Sequence, residues 1–400
     1  MNPIFEENFL KAKAELNAEQ EKAVELTDGP VMVIAGPGTG KTQLLSTRIC
    51  HIVSSTHALA SNILCLTYTN AGVAAIRKRL ESMLGPEAQH CTINTFHGFS
   101  EDLFQRFGDK SDLQDSKLID ELTTKKLVRS LLDEVDFGTP LKDKVTSVDE
   151  AIRFVISLIH LIKKENLDIY QMRSDYAEEM KAAYESDLFR YKKKFKEFEV
   201  GDIKQNDWIK YEKRIQKHLQ ALGVYERYQE EFQNAKYRDF NSSITRAIEL
   251  IQTEPDVRFD LLEQYQYVMI DEFQDTNGAQ LGIVNAIFAE EEKPNIMIVG
   301  DEDQAIFKFQ GANLKNIFDF YDHYINPLPI QEQLERIIIL NKNYRSTTPI
   351  IESSKELISH GSERITGIIE GRSLSKDFVA GSIRLKDIKN PVQFWTVDEK

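Results

Sequence analysis

The sequence predicts an α/β fold: a parallel sheet with helices on both faces, interrupted by an inserted helical domain. Three observations predict it. Short, wholly apolar runs recur, each followed by an amphipathic stretch of helical length; the pattern vanishes between about residues 105 and 236; and it resumes near Tyr267. Apolar strands alternating with helices form βαβ units, and strands buried on both faces read as continuous apolar runs.

Taken in order, VMVIA (31–35) leads through a glycine-rich turn into TQLLSTRICHIV. ILCLTYT (63–69) leads into NAGVAAIRKRL, and CTINTF (91–96) into HGFSEDLFQRF. Charged stretches such as DELTTKKLVRSLLDEV and SDLFRYKKKFKEFEV then read as helices of the insertion. YVMIDEF, NIMIVGD and RIIILNKNY restore the strand pattern, so the α/β domain is discontinuous in sequence. Within the insertion, FRYKKKFKEF sets lysines among aromatics. Such a mixture can follow a phosphate backbone, but a solvated helix face with its aromatics turned inward is the favoured reading.

Four hundred residues suffice for two or three domains with cores of their own. With 41% hydrophobic and 28% charged residues, the chain is neither disordered nor fibrous. Its apolar runs are too short to span a bilayer, and the polar, acidic start is unlike a signal peptide. Cys50, Cys65 and Cys91 lack metal-type spacing and read as reduced, buried thiols, so a cytoplasmic protein is expected. A net charge of −14 argues against a uniformly basic nucleic-acid binder, although binding depends on local patches.

The most specific local signal is AGPGTGKT. A strand ends at Ala35, the chain turns through Gly36, Pro37, Gly38, Thr39 and Gly40, and Lys41 and Thr42 open a helix. Glycines let backbone N–H groups face a phosphate, and the helix N-terminus adds a favourable dipole. Lys41 is expected on the terminal phosphates and the Thr42 hydroxyl on Mg²⁺. The strict pattern has glycine where Ala35 stands. A second signal is that the apolar run YVMI ends in Asp271 and Glu272. Buried carboxylates need a cation, so Asp271 is expected to face the metal and Glu272 to activate water. Helix capping would account for one such acid, not for the pair.

LNAEQ, AGPGTGKT, LTYTN, TFHGF, VMIDEFQDTN, VGDEDQAIFKFQGA and NKNYRST follow one another in this order. Together they resemble the ordered motifs of UvrD/Rep-type superfamily 1A DNA helicases, from about Leu16 to Thr347. The resemblance implies a RecA-like P-loop NTPase fold, ATP and Mg²⁺ as cofactors, and single-stranded DNA and its junctions with duplex as partners. It implies 3′→5′ translocation coupled to strand separation, in repair or replication. By the same resemblance, Gln20 meets the adenine edge, Gln43 stands where the family often has an arginine packed on the base, and Tyr344 sandwiches adenine. Asn17 and Gln20 also read as a capping box, with Gln20 then pointing outward. Gln304 matches the residue that senses the γ-phosphate. Arg345 matches the arginine finger, expected on a second domain facing the first. Tyr68, Thr95, His97, Phe307 and Phe309 match DNA-contacting positions, although Tyr68 also reads as an ordinary strand aromatic. Where many relatives have arginine after the second aromatic, this chain has Gln310.

The expected organisation is a first RecA-like domain from 1–104 and 237–334, a helical insertion from 105–236, and a second RecA-like domain begun at 335–400. The family's later motifs do not follow NYRST, so the chain is expected to be a monomeric fragment that binds Mg·ATP and hydrolyses it poorly. The alternatives are the motor subunit of a helicase–nuclease complex and, for these residues alone, a nucleotide-gated DNA-binding module.

Overall fold

The computed structural model describes residues 3–110, 116–136, 138–142, 147–305, 315–360 and 376–381. Its central sheet has six strands: β1 (Val31–Ala35), β2 (Ile63–Thr67), β3 (Thr92–Thr95), β4 (Tyr267–Ile270), β5 (Ile296–Gly300) and β6 (Ile337–Leu340). All pair in parallel, in the spatial order β3-β2-β4-β5-β1-β6. Every residue of β1, β2, β4 and β5 is buried, which is why these segments are apolar without alternation. The helices Lys41–Ser55 and Asn70–Leu84 lay Leu44, Ile49, Ile76 and Leu80 against Val33, Cys65, Met269 and Val299. Cys50, Cys65 and Cys91 are free and buried.

The chain divides into two compact units, Met1–Phe99 with Ile251–Lys400, and Ser100–Leu250. The second has its own core. The helices Glu121–Asp133, Val148–Glu165 and Gln205–Asn234 enclose Val128, Ile152, Val155, Ile159, Leu222 and Tyr228. No helix among the described residues is long and apolar enough to cross a membrane.

Three expectations need correction. The boundary at 334/335 falls just before β6, yet β6 pairs with β1, Met32 opposite Ile337 through Ala35 opposite Leu340. This apolar run completes the first sheet because an apolar edge beside β1 is where it can be buried. The segment from 237 stays with the inserted unit as far as Leu250. Tyr237–Arg238 pairs in parallel with Lys117–Leu118, so that unit is not wholly helical. A buried Lys163–Asp239 ion pair of 2.6 Å anchors it. Finally, the stretch 186–200 is not a long helix. After the short turn Asp187–Phe189 the chain folds back, Lys196 takes φ 55°, and the backbones of Phe195 and Phe198 bond one another. Tyr191, Phe195 and Phe198 have helical spacing, but the rings stack on each other at 4.9 and 6.1 Å, and Phe195 stays exposed.

Candidate nucleotide-binding site

β1 runs into the loop Gly36–Gly40 and the helix Lys41–Ser55. Gly38 and Gly40 have φ of 73° and 87°, a left-handed conformation that a Cβ disfavours. Space is short as well: a Cβ on Gly38 would lie 2.6 Å from Arg345 Cβ and 2.8 Å from Asn343 Oδ1. Thr39 Oγ1 donates to the Gly36 carbonyl at 2.8 Å, closing the turn. The loop borders a cavity of about 680 Å³. Gly38, Gly40, Lys41, Thr42 and Gln43 line one wall, with Lys78, Arg79, Glu272 and Arg345 around the rest.

Asp271 and Glu272 follow β4. Only β5 separates β4 from β1, and in a parallel sheet the carboxyl ends of all three open on one edge. Lys41 Nζ donates to Glu272 Oε2 at 2.6 Å, so the loop lysine and the second acid meet directly. Glu272 is one of few non-glycine residues with positive φ, 49°, and Gln274 Nε2 donates to the same Glu272 oxygen at 2.7 Å. Backbone strain of this kind persists where surrounding structure enforces it.

Asp271 is 5% exposed, and its Oδ1 accepts the Glu272 N–H at 3.0 Å. Burial pushes its carboxyl up to about 6, with repulsion from Glu272 adding and Lys41 opposing. Such a carboxylate calls for a nearby cation. No cluster of three or more His, Cys, Asp or Glu among the described residues would cage a metal with protein alone. Magnesium held by one carboxylate, the Thr42 hydroxyl and nucleotide phosphates needs no such cage, and these residues fit it.

Other candidates are placed differently from the expectation. Gln20 forms the capping box, its Oε1 accepting Asn17 N–H while Asn17 Oδ1 accepts Gln20 N–H. It does not point outward: it is 3% exposed and its Nε2 donates to the Thr39 carbonyl at 2.8 Å. A capping residue thus supports the loop, because the helix start lies directly behind it. Arg345 does not wait on a separate domain. The sheet edge at β6 delivers it to the cavity, and Tyr344 N–H donates to the Gly38 carbonyl at 2.8 Å. Asn17 Nδ2 donates to the Tyr344 hydroxyl at 3.0 Å. Gln304 follows β5, between the acidic strand end and the loop, and its Nε2 donates to Asp301 Oδ2 at 2.8 Å.

Tyr68, Thr95 and His97 sit at the carboxyl ends of the adjacent strands β2 and β3, where Thr67 lies opposite Thr95. Tyr68 is half-buried, and burial followed by the Asp275 carboxylate raises its hydroxyl pKa. Thr95 Oγ1 accepts Gly98 N–H at 3.1 Å, so its hydroxyl helps start the helix Phe96–Phe107, on which His97 is half-buried. Phe307, Phe309 and Gln310 lie outside the described residues.

Three residues escape motif reading. Gln274 bridges the site, its Oε1 accepting Asp301 N–H at 3.0 Å. Its place two residues after Glu272 was the available signal. Asn343 is buried, donates to the Pro37 carbonyl at 2.7 Å and accepts the N–H groups of Arg345 and Ser346. Turn-forming Asn before Tyr-Arg-Ser hinted at this. Lys376 belongs to no local pattern.

A glycine loop entering a helix, faced by acids two strands away in a parallel sheet, defines a P-loop nucleotide-binding protein of the α/β class. Residues 16–325 match the family model of the UvrD/REP helicase N-terminal domain, and the chain belongs to that family. It is 29% identical over 352 residues to the ATP-dependent DNA helicase PcrA of Leuconostoc citreum, covering 88% of this chain and 40% of that protein. PcrA of Staphylococcus epidermidis is 30% identical and PcrA of Bacillus subtilis 28%, each covering 87% of this chain and 40% of the relative. The chain thus spans about two fifths of the length of these relatives.

Proposed function

We propose that this chain carries the ATP site of a DNA helicase that moves 3′→5′ along single-stranded DNA in repair or replication. The observation that supports this most is the 2.6 Å contact between Lys41 and Glu272, which joins phosphate-binding loop and general base at one sheet edge. The name of the relatives, ATP-dependent DNA helicase, supports the substrate class.

In this reading the loop N–H groups and Lys41 bind the phosphates, and Asn343 holds the loop against the segment bearing Arg345. Bound magnesium, held by Thr42 and Asp271, would neutralise phosphate charge. Nucleotide draws Lys41 from Glu272, freeing that carboxylate to accept a proton from the attacking water. Arg345, already at the cavity, stabilises charge on the transferring phosphoryl group. Tyr68 takes DNA bases by stacking, which is worth roughly 1–3 kcal/mol per base and ignores sequence. Thr95 and His97 continue that DNA path along β3, and Tyr344 packs on adenine with Gln20 behind the loop.

The test is nucleotide titration and single-turnover hydrolysis of the purified chain. Lys41→Ala is expected to lose Mg·ATP binding. Glu272→Gln is expected to bind at least as tightly as wild type, since Lys41 loses its competing carboxylate. Its hydrolysis should fall by roughly 10²- to 10⁴-fold. Weaker binding, or unchanged hydrolysis, in Glu272→Gln would move the base elsewhere.

A further inference from the structure

The segment 376–381 packs beside the phosphate-binding loop although no motif marks it. Its Val379–Ala380 pairs in parallel with Lys342–Asn343, directly before Tyr344 and Arg345. A Cβ on Gly36 would meet the Phe378 ring at 2.5 Å, and a Cβ on Gly381 would meet the Tyr344 ring at 2.8 Å, so the segment lies against both. At its start, Lys376 is 6% exposed. Its ammonium donates to Asp301 Oδ1 at 2.9 Å and Asp303 Oδ2 at 3.2 Å, and pairs with Glu302. Burial opposes the charge on Lys376, yet Asp301 and Glu302 outweigh it and raise its pKa.

Asp301 is the centre of this arrangement. One carboxylate oxygen takes Lys376, while the other takes Gln304 Nε2 at 2.8 Å. Its backbone N–H reaches Gln274, which in turn holds Glu272, the partner of Lys41. A buried carboxylate bonded on both oxygens has a fixed orientation, and so has the amide it orients. Remove the ammonium, and Asp301 Oδ1 keeps only the Asp303 N–H at 3.2 Å, beside the Glu302 and Asp303 carboxylates and with no other cation in contact among the described residues, so the carboxylate turns. That rotation releases Gln304.

We propose that Lys376 is a positioning residue of the nucleotide site: through Asp301 it fixes Gln304, and it thereby sets the preference for a nucleoside triphosphate over a diphosphate. This rests on the reading of Gln304 as the group that meets the γ-phosphate. A residue that merely pinned the segment would affect both nucleotides alike.

The test titrates Mg·ATPγS and Mg·ADP against the purified 400-residue chain, with circular dichroism and thermal melting as folding controls. Lys376→Met is expected to lower the ratio of ATPγS to ADP affinity roughly ten- to a hundredfold, the scale of one hydrogen bond to a charged group, with ADP affinity within about twofold. Should Lys376→Met not fold, the double variant Lys376→Met/Glu302→Gln removes a carboxylate with the cation and should show the same fall. Gln304→Ala is measured alongside. If Gln304→Ala leaves the ratio unchanged, the underlying assignment of Gln304 fails. If Gln304→Ala lowers the ratio but the Lys376 variants do not, or if they weaken both nucleotides equally, the positioning role of Lys376 is overturned.

Discussion

Asp275 shows how a single side chain registers the electrostatics of the site. Its Oδ1 is buried without a hydrogen-bond partner among the described residues. Burial, then repulsion from Glu272, push its carboxyl up from 3.8 to about 6, with Lys41 opposing. The folded protein therefore holds this proton more tightly than the unfolded chain does. Below about pH 4 both states are protonated and the group costs nothing; as pH rises through about 6 the folded state must ionise a poorly solvated acid, and stability falls. Asp275→Asn removes that charge. It is expected to raise the melting temperature at about pH 8 and to give a much smaller gain at about pH 4, as followed by calorimetry. An equal gain at both values would mean that the carboxylate is not penalised in the fold. Lys41 and Glu272 lie within the same field, so such a gain measures how strongly the site concentrates negative charge in advance of a cation.

Among elements, the strand Tyr237–Arg238 and the turn that follows it are joined to a helix of the same unit by a buried ion pair. Lys163 lies on the helix Val148–Glu165, 4.0 Å from the centre of the Phe232 ring, and reaches Asp239 at 2.6 Å. The Lys163 side chain is only 3% exposed, so deleting it strands Asp239. Breaking a buried pair from one side typically costs about 3–5 kcal/mol. Ser242 N–H still bonds Asp239 at 2.6 Å, which favours the low end. Lys163→Met is expected to destabilise the chain by about 3 kcal/mol in urea denaturation, and Lys163→Met/Asp239→Asn to recover most of that. A double variant as unstable as the single would show that packing of the lysine stem, not charge, carries the energy. This pair also marks the limit of sequence reading. β1, β2, β4 and β5 are legible because burial on both faces leaves a local record of apolar residues, and AGPGTGKT because the left-handed backbone at Gly38 and Gly40 is a local need. Lys163–Asp239, Asn343–Pro37 and Lys376–Asp301 join residues 75 or more positions apart. No local composition encodes such a partner. The stretch 186–200 misled because Tyr191, Phe195 and Phe198 keep helical spacing where no core exists to receive them.

At the scale of the whole molecule, two apolar cores are built from different parts of the chain. One centres on Val33, Ile49, Cys65 and Met269, the other on Val155, Ile159, Leu222 and Tyr228. Every residue lining the nucleotide cavity belongs to the unit of the first core. A ligand stabilises the cooperative unit that must be folded to bind it, by about 2.7 kcal/mol at a concentration of about 100 times Kd. Hydrogen exchange resolves such units separately, since each opens with its own free energy. Saturating Mg·ATPγS is therefore expected to slow exchange roughly a hundredfold in β1, β4 and β5. The helices Val148–Glu165 and Gln205–Asn234 should exchange at an unchanged rate. Equal slowing in both sets would mean that the two cores open together, and that nucleotide binding is felt by a single cooperative fold. Slowing in neither would mean that the loop at Gly36–Gly40 does not hold the triphosphate, and the assignment of the site would fall with it.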